Sequence, residues 1–207
     1  MVRSWECYLH SGQCEIARGQ ERLSVHCFST VAFLDFEASS LASGSFPTEI
    51  GWAIPESHPD MVRSGSCLIR PTAKWLRVAG AWSGVSETLT GITKLLLERE
   101  GVPPTEAINR LLTATNGRDL FSNDPSFDQY WLEKLAEAAD VDLNPRRLGD
   151  AKALFSKVAN ENPGLTNVLP EAEALAAESV SRQHRAEPDA RRLAIVYSVM
   201  LRKSSGK

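Results

Sequence analysis

Hydrophobic and polar positions first become periodic at Val31. From there to Glu37 the order is Val-Ala-Phe-Leu-Asp-Phe-Glu, a short apolar run closing on two acids two positions apart. As a strand, with its repeat of two, this run sends Asp35 and Glu37 to the face of Val31 and Phe33. Ala32, Leu34 and Phe36 take the other face. Two carboxylates about 7 Å apart on a rigid strand repel each other unless a cation neutralises them. Hard divalent cations prefer such oxygen ligands. Taken alone, the stretch also fits a strand end with two solvated acids.

The small residues from Ala38 to Ser45 read as a loop. Glu49–Ile54 and Ser66–Ile69 read as two further strands, spaced closely enough for an antiparallel meander with the first. From Ser86 the period lengthens. Ile92, Leu95, Leu96 and Arg99 mark a short helix stopped by Gly101 and Pro103-Pro104. A second helix, Pro104 to Thr115, carries Ala107, Ile108, Leu111 and Leu112 on one face.

Asp119–Ser122 reads as a fourth strand. Asp124 then fits a helix N-cap and Pro125 the first helical position. That helix, to Ala139, carries Phe127, Trp131 and Leu135 as a core stripe. Asp128 sits beside the stripe, where an acid also complements the helix dipole. Arg146–Asp150 is a short strand or turn, followed by a helix over 151–159, a loop to Pro170 and a helix over 170–180. The last helix opens with Pro188 at its first position and runs to Arg202. Leu193, Val196, Tyr197, Met200 and Leu201 form its inward stripe, and Asp189 heads that stripe. An acid there is costly unless paired or metal-bound.

Composition bounds the rest. A chain of 207 residues suggests one domain, here 31–202, with 203–207 as a solvated tail. Residues 1–30 have no period and read either as a poorly ordered extension or as an upstream start outside the functional protein. The net charge of -3 gives no global attraction to nucleic acid or anionic membrane, so phosphate must be held by local basic groups or metal ions. No apolar run is long enough for a membrane span, and Glu6, Glu15 and Arg18 interrupt any signal-peptide pattern. Cys7, Cys14, Cys27 and Cys67 show neither CxxC pairing nor a histidine at zinc-ligand spacing. Scattered cysteines suit a reducing cytosol, so a cytoplasmic protein is expected.

Three segments stand in order on the expected elements: Asp35-Phe36-Glu37, Asn123-Asp124-Pro125-Ser126-Phe127-Asp128 and His184-Arg185-Ala186-Glu187-Pro188-Asp189. They resemble the Asp-x-Glu, Asn-x-x-x-Phe-Asp and His-x-x-x-x-Asp motifs of the DEDDh 3′-to-5′ exonucleases. That ribonuclease-H-like group includes ribonuclease T, oligoribonuclease and the proofreading subunit of the bacterial replicative polymerase. The resemblance covers about Val31 to Leu201. It implies an α/β fold, a ribonuclease H-like mixed sheet of about five strands flanked by helices. It also implies hydrolysis of single-stranded DNA or RNA, or of short oligonucleotides, from the 3′ end, releasing nucleoside 5′-monophosphates.

By the same resemblance the cofactors are two Mg²⁺ or Mn²⁺ ions about 4 Å apart. Asp35 would bridge them, Glu37 and Asp189 would complete one site, and Asp128 would hold the other ion through water. His184 would be the general base. Oligoribonuclease and ribonuclease T are dimers, so the resemblance extends to a homodimer. Ala38 stands where the family often has Thr, and Thr90-Gly91-Ile92 where it often has His-Gly-Ile. The resemblance therefore gives Ala38 a backbone contact with the terminal nucleotide and Ile92 an apolar contact with its base.

Arg182, Arg185, Arg191 and Arg192 are candidates for the substrate's backbone phosphates, Arg185 foremost because it adjoins His184. A solvated helix face balanced by Glu178 and Glu187 is the alternative. Phe36, Trp75 and Trp82 are available for base stacking, or for the core. Two readings compete with the exonuclease: a non-catalytic nucleic-acid-binding module on the same fold, and another two-metal phosphoesterase. Retention of every motif acid weighs against the first, and the His-x-x-x-x-Asp spacing against the second. No motif decides between DNA and RNA.

Overall fold

The alternation that starts at Val31 becomes the central strand of a sheet. The structure, a computed structural model, describes residues 28–143, 147–162, 165, 168–180 and 184–204. β1 (Val31–Ala38) is followed by β2 (Pro47–Ile54), a 3-10 turn (Pro59–Met61) and β3 (Arg63–Leu68). Four helices come next: α1 (Ala73–Leu76), α2 (Gly84–Thr90), α3 (Lys94–Glu100) and α4 (Pro104–Ala114). β4 (Asp119–Ser122), α5 (Pro125–Ala139), β5 (Gly149–Asp150), α6 (Ala151–Glu161), α7 (Val168–Ser179) and α8 (Ala186–Ser204) complete the order. The sheet runs β3-β2-β1-β4-β5. The first three strands form the expected antiparallel meander, while β4 and β5 pair in parallel, so the sheet is mixed.

The period-two split of β1 decides which helices pack where. Val31 and Phe33 bury against residues of α6, α7 and α8, with the Phe33 ring edge-on to Tyr197 at 5.6 Å and tilted to Phe155 at 5.9 Å. Ala32, Leu34 and Phe36 bury against α4 and α5, among Ile108, Leu111, Leu132 and Leu135. Each large side chain so buried contributes about 1.5–3 kcal/mol. Asp35 follows Phe33 on the α8 side, so the strand carries a carboxylate to the end of a packed core.

Several boundaries differ from those expected, each for a local reason. The helix expected over Ile92 to Arg99 starts only at Lys94, and a separate helix that was not expected, α2, precedes it. Gly91, at φ 71, terminates α2 in a left-handed turn, and Thr93 restarts the chain as the N-cap of α3, its side chain accepting from the Leu96 N–H. Ile92 lies between them, Leu97 faces inward and Leu95 faces out. In α5, Asp124 makes no side-chain cap bond. Phe127 is 44% exposed and stacks on Trp131, while Trp131, Leu132 and Leu135 face the core. Each step of four residues turns a helix by about 40°, so a stripe of two such steps drifts off the buried face at its first residue.

α8 begins at Ala186, which leaves Pro188 within its first turn, and it continues through Lys203 and Ser204. The expected tail is thus helical at its start, and Lys203 pairs with Glu171 of α7. β2 and β3 start earlier than expected, and α7 starts at Val168 rather than at Pro170. The expectations for 1–27, for 144–146, for Arg182 and for 205–207 lie outside the described residues. No described helix is long and apolar enough to cross a membrane.

Candidate active site

Asp35 and Glu37 project from the α8 face of β1, and Asp189 comes down over them from the first turn of α8. One carboxylate oxygen from each lies within 4.8 Å of the others, the one such cluster among the described residues. Asp128, from the first turn of α5, is 3% exposed and near enough for its charge to act on Asp35. Burial holds the Asp35 carboxyl well above the ordinary range, and Asp128, Glu37, Asp189 and Glu49 push in the same direction. Glu37 is pushed up to about 8 by burial and then by Asp189 and Glu49, against the pull of Arg185. Burial likewise lifts Asp128 to about 7. Asp189 is raised by burial and partly restored by Arg192.

Dehydrated like charges in one place need either protons or a cation. The donor set is all carboxylate, which fits Mg²⁺ or Mn²⁺ rather than a metal that favours thiolate or imidazole. The residues present therefore fit the implied ions.

His184 stands just before α8 with a left-handed backbone, φ 57, and its N–H donates to Asp189 Oδ2 at 3.0 Å. The positive φ lets the chain turn sharply from the histidine into the helix, and histidine is among the residues that tolerate it. His184 and Glu37 line a cavity of about 340 Å³. Ala38 also lines it. Ile92 does not: it is 1% exposed, its N–H bonded to Thr90 Oγ1 at 3.0 Å. The apolar wall comes instead from Leu41, Val85 and Leu89, which are 76%, 70% and 57% exposed. No helix was expected over 84–90, which hid Val85 and Leu89; the missed signals were Ser83 as an N-cap and Gly91 as a stop.

The Arg185 guanidinium is turned to Glu49. Its Nε donates to Glu49 Oε2 at 2.7 Å and its Nη2 to Glu49 Oε1 at 2.6 Å. The expected phosphate role gives way to a pair with a carboxylate that is 1% exposed. Glu49 escaped the sequence reading, although alternation along β2 sets it opposite Glu37 of β1. Like charges directly opposed across a sheet call for a partner. Arg192 is also committed, donating to the Val180 carbonyl at 2.9 Å, with Nη1 3.8 Å from Asp189 Oδ1. Phe36 and Trp75 are core residues. Trp82 is part-buried, donates to Glu87 at 2.8 Å and carries Lys94 over its ring at 5.2 Å.

No protein-family model matches the sequence, and no curated protein matches it significantly. Solved structures do match. The nuclease domain of 3′hExo, a DEDDh family member bound to rAMP, superposes with a TM-score of 0.61 at 15% identity, over 84% of this chain and 92% of that one. A 3′-exonuclease recognising the histone mRNA stem-loop gives a TM-score of 0.62 at 14% identity, over 84% and 81%. Exonuclease I of E. coli, in complex with a dA16 oligonucleotide, gives 0.59 at 14% identity, over 82% of this chain but only 40% of that protein. The chain has the fold of the DEDDh-type 3′-exonucleases.

Proposed function

We propose that the chain is a metal-dependent 3′-to-5′ exonuclease acting on single-stranded nucleic acid or short oligonucleotides. One observation carries the reading: Asp35, Glu37 and Asp189 converge within 4.8 Å of one another, at a cavity that His184 also lines. Two Mg²⁺ or Mn²⁺ ions, when bound, would stabilise the attacking and leaving oxygens of an in-line displacement. Asp35, Glu37 and Asp189 would hold the ions, with Asp128 as the fourth carboxylate.

The cavity, lined by Ala38 and walled by Leu41, Val85 and Leu89, takes the terminal nucleotide. This sets the phosphodiester next to the acids. The His184 imidazole accepts a proton from the attacking water, a task suited to that side chain near neutral pH. The water oxygen bonds to phosphorus as the P–O3′ bond to the preceding nucleotide breaks. The electron pair leaves on that 3′ oxygen, which is protonated, and a nucleoside 5′-monophosphate departs. The described cysteine, Cys67, is free and buried, in keeping with a reducing cytosol.

The test is degradation of a 5′-labelled single-stranded DNA and a matching RNA, with Mn²⁺ or with chelator. A metal-dependent ladder shortening from the 3′ end is expected, and the faster strand names the substrate. No cleavage of either strand, with binding intact, would reduce the chain to a binding module on this fold.

A further inference from the structure

We propose that Glu49 and Arg185 form a positioning latch, which docks the His184-to-Asp189 segment onto β2 and holds its histidine and aspartate in register with Asp35 and Glu37. The inference rests on the nuclease reading for what the latch serves, but its own evidence is separate. In register, Glu49 of β2 faces Glu37 of β1. Its charge already bears on Asp35 and Glu37, so its oxygens need partners away from the cluster. Those oxygens are turned to α8: Oε1 accepts from Arg185 Nη2, and Oε2 from Arg185 Nε and from the Ala186 N–H at 3.1 Å. A fork-on-fork pair fixes direction as well as distance, which a lysine in the same place would not do.

Two neighbours of this pair complete the dock. Gly51 lies two positions along β2 from Glu49, hence on the same face. A Cβ at Gly51 would fall 2.2 Å from the Ala186 carbonyl carbon and 2.3 Å from the Glu187 nitrogen, so a bare backbone is what lets α8 sit on the strand. On β3, the Ser64 hydroxyl donates to Glu187 Oε1. The first turn of α8 is thereby held on both sides, and Asp189 and His184 are carried with it through the His184 N–H bond to Asp189. One acid of this region binds protein so that its neighbours are free to bind cations.

The latch is tested with Glu49→Gln and Arg185→Lys in the full chain, by three readouts: Mn²⁺ affinity by paramagnetic resonance, amide exchange at Ala186, and kcat and KM on a single-stranded oligonucleotide. Glu49→Gln should lower Mn²⁺ affinity and kcat by about 10–100-fold, the usual cost of losing a partner behind a metal ligand. KM should move by less than about twofold, and exchange at Ala186 should quicken. Arg185→Lys, at a part-exposed position that folds readily, should show the same pattern more weakly. Should KM rise and salt dependence weaken in Arg185→Lys while Glu49→Gln is silent, Arg185 would be a phosphate contact and the latch would be rejected. If the wild type cleaves nothing, the nuclease reading fails by itself. Mn²⁺ affinity and exchange still judge the latch, and normal values in both variants overturn it.

Discussion

The carboxylate centre takes its side chains from a strand and from the first turns of two long helices, whereas the cavity beside it takes its wall from a loop and a helix of seven residues. In the centre, Asp128 is buried, and the half-buried carboxyls of Asp35, Glu37 and Asp189 are held against one another. On the wall, Leu41, Val85 and Leu89 are apolar and exposed among the described residues. The base of that wall is tied down, since Ser39 Oγ accepts from the Phe46 N–H at 3.0 Å and the Ser39 carbonyl accepts from the Ser83 N–H at 2.8 Å. Its tips are left to the ligand. On the proposed reading, the chemistry rests on long, packed elements and the fit on a short helix and a loop at the surface.

If that division holds, damage to the centre should abolish turnover without touching the fold. Asp35→Ala should lower metal-dependent cleavage by at least about 10³-fold, the several kcal/mol that a correctly held metal pair supplies. In chelator the same variant should melt higher than the wild type, because it removes a charge that its neighbours oppose. Calorimetry with and without EDTA checks the second half. A lower melting point in both conditions would mean that Asp35 is structural.

The next largest effect separates the base from the ligands. His184→Ala should reduce kcat by about 10²–10⁴-fold while leaving Mn²⁺ affinity unchanged, since its side chain stands outside the acid cluster. Equal loss of metal binding would merge the two roles. It would also show that the turn at φ 57 was holding Asp189 through the histidine itself.

The same division explains what the sequence could say. Asp35 and Glu37 were legible because a strand repeats every two residues whatever surrounds it. Asp128 and Asp189 were legible because each follows a proline that opens a helix or lies in its first turn. The meander was likewise written in spacing and the fourth strand in its short apolar run, while the parallel pairing of that strand with β1 was not. Val85, Leu89 and the true place of Ile92 were not, because α2 is too short to show a period and its ends depend on a cap and a left-handed glycine. Glu49 was hidden for another reason. An acid in a strand looks solvated until the fold supplies the residue it pairs with, and Arg185 arrives from 136 positions away.

A wall built for fit should answer differently from the centre. Leu89→Ser should raise KM for a single-stranded oligonucleotide about tenfold, the loss of one apolar contact of about 1–2 kcal/mol, with kcat within about twofold. Its exposure means the fold should lose no more than about 0.5 kcal/mol. A fall in kcat with KM unchanged would place Leu89 in the chemistry and erase the contrast between the two regions.

The smallest effect is a pH dependence of stability that belongs to the centre alone. Glu37 and Asp128 bind protons more tightly folded than unfolded, rising from 4.5 to about 8 and from 3.8 to about 7. Between these limits the folded protein carries more protons than the unfolded chain, so stability must fall as pH rises. The contribution is fully present below about pH 4 and lost once pH passes about 8, with Asp35 and Asp189 acting in the same direction. In chelator the protein should therefore melt several degrees higher at pH 5.5 than at pH 8.5. Mg²⁺ should reverse the order, because it binds the ionised carboxylates and replaces the protons that high pH removes. Leu89→Ser should show the same two curves as the wild type, and Asp35→Ala should remove only the share of Asp35 from the metal-free curve while losing the Mg²⁺ reversal. A metal-free protein that melts alike at the two pH values would mean that water reaches the acids freely, and the centre would then be no more buried than the wall beside it.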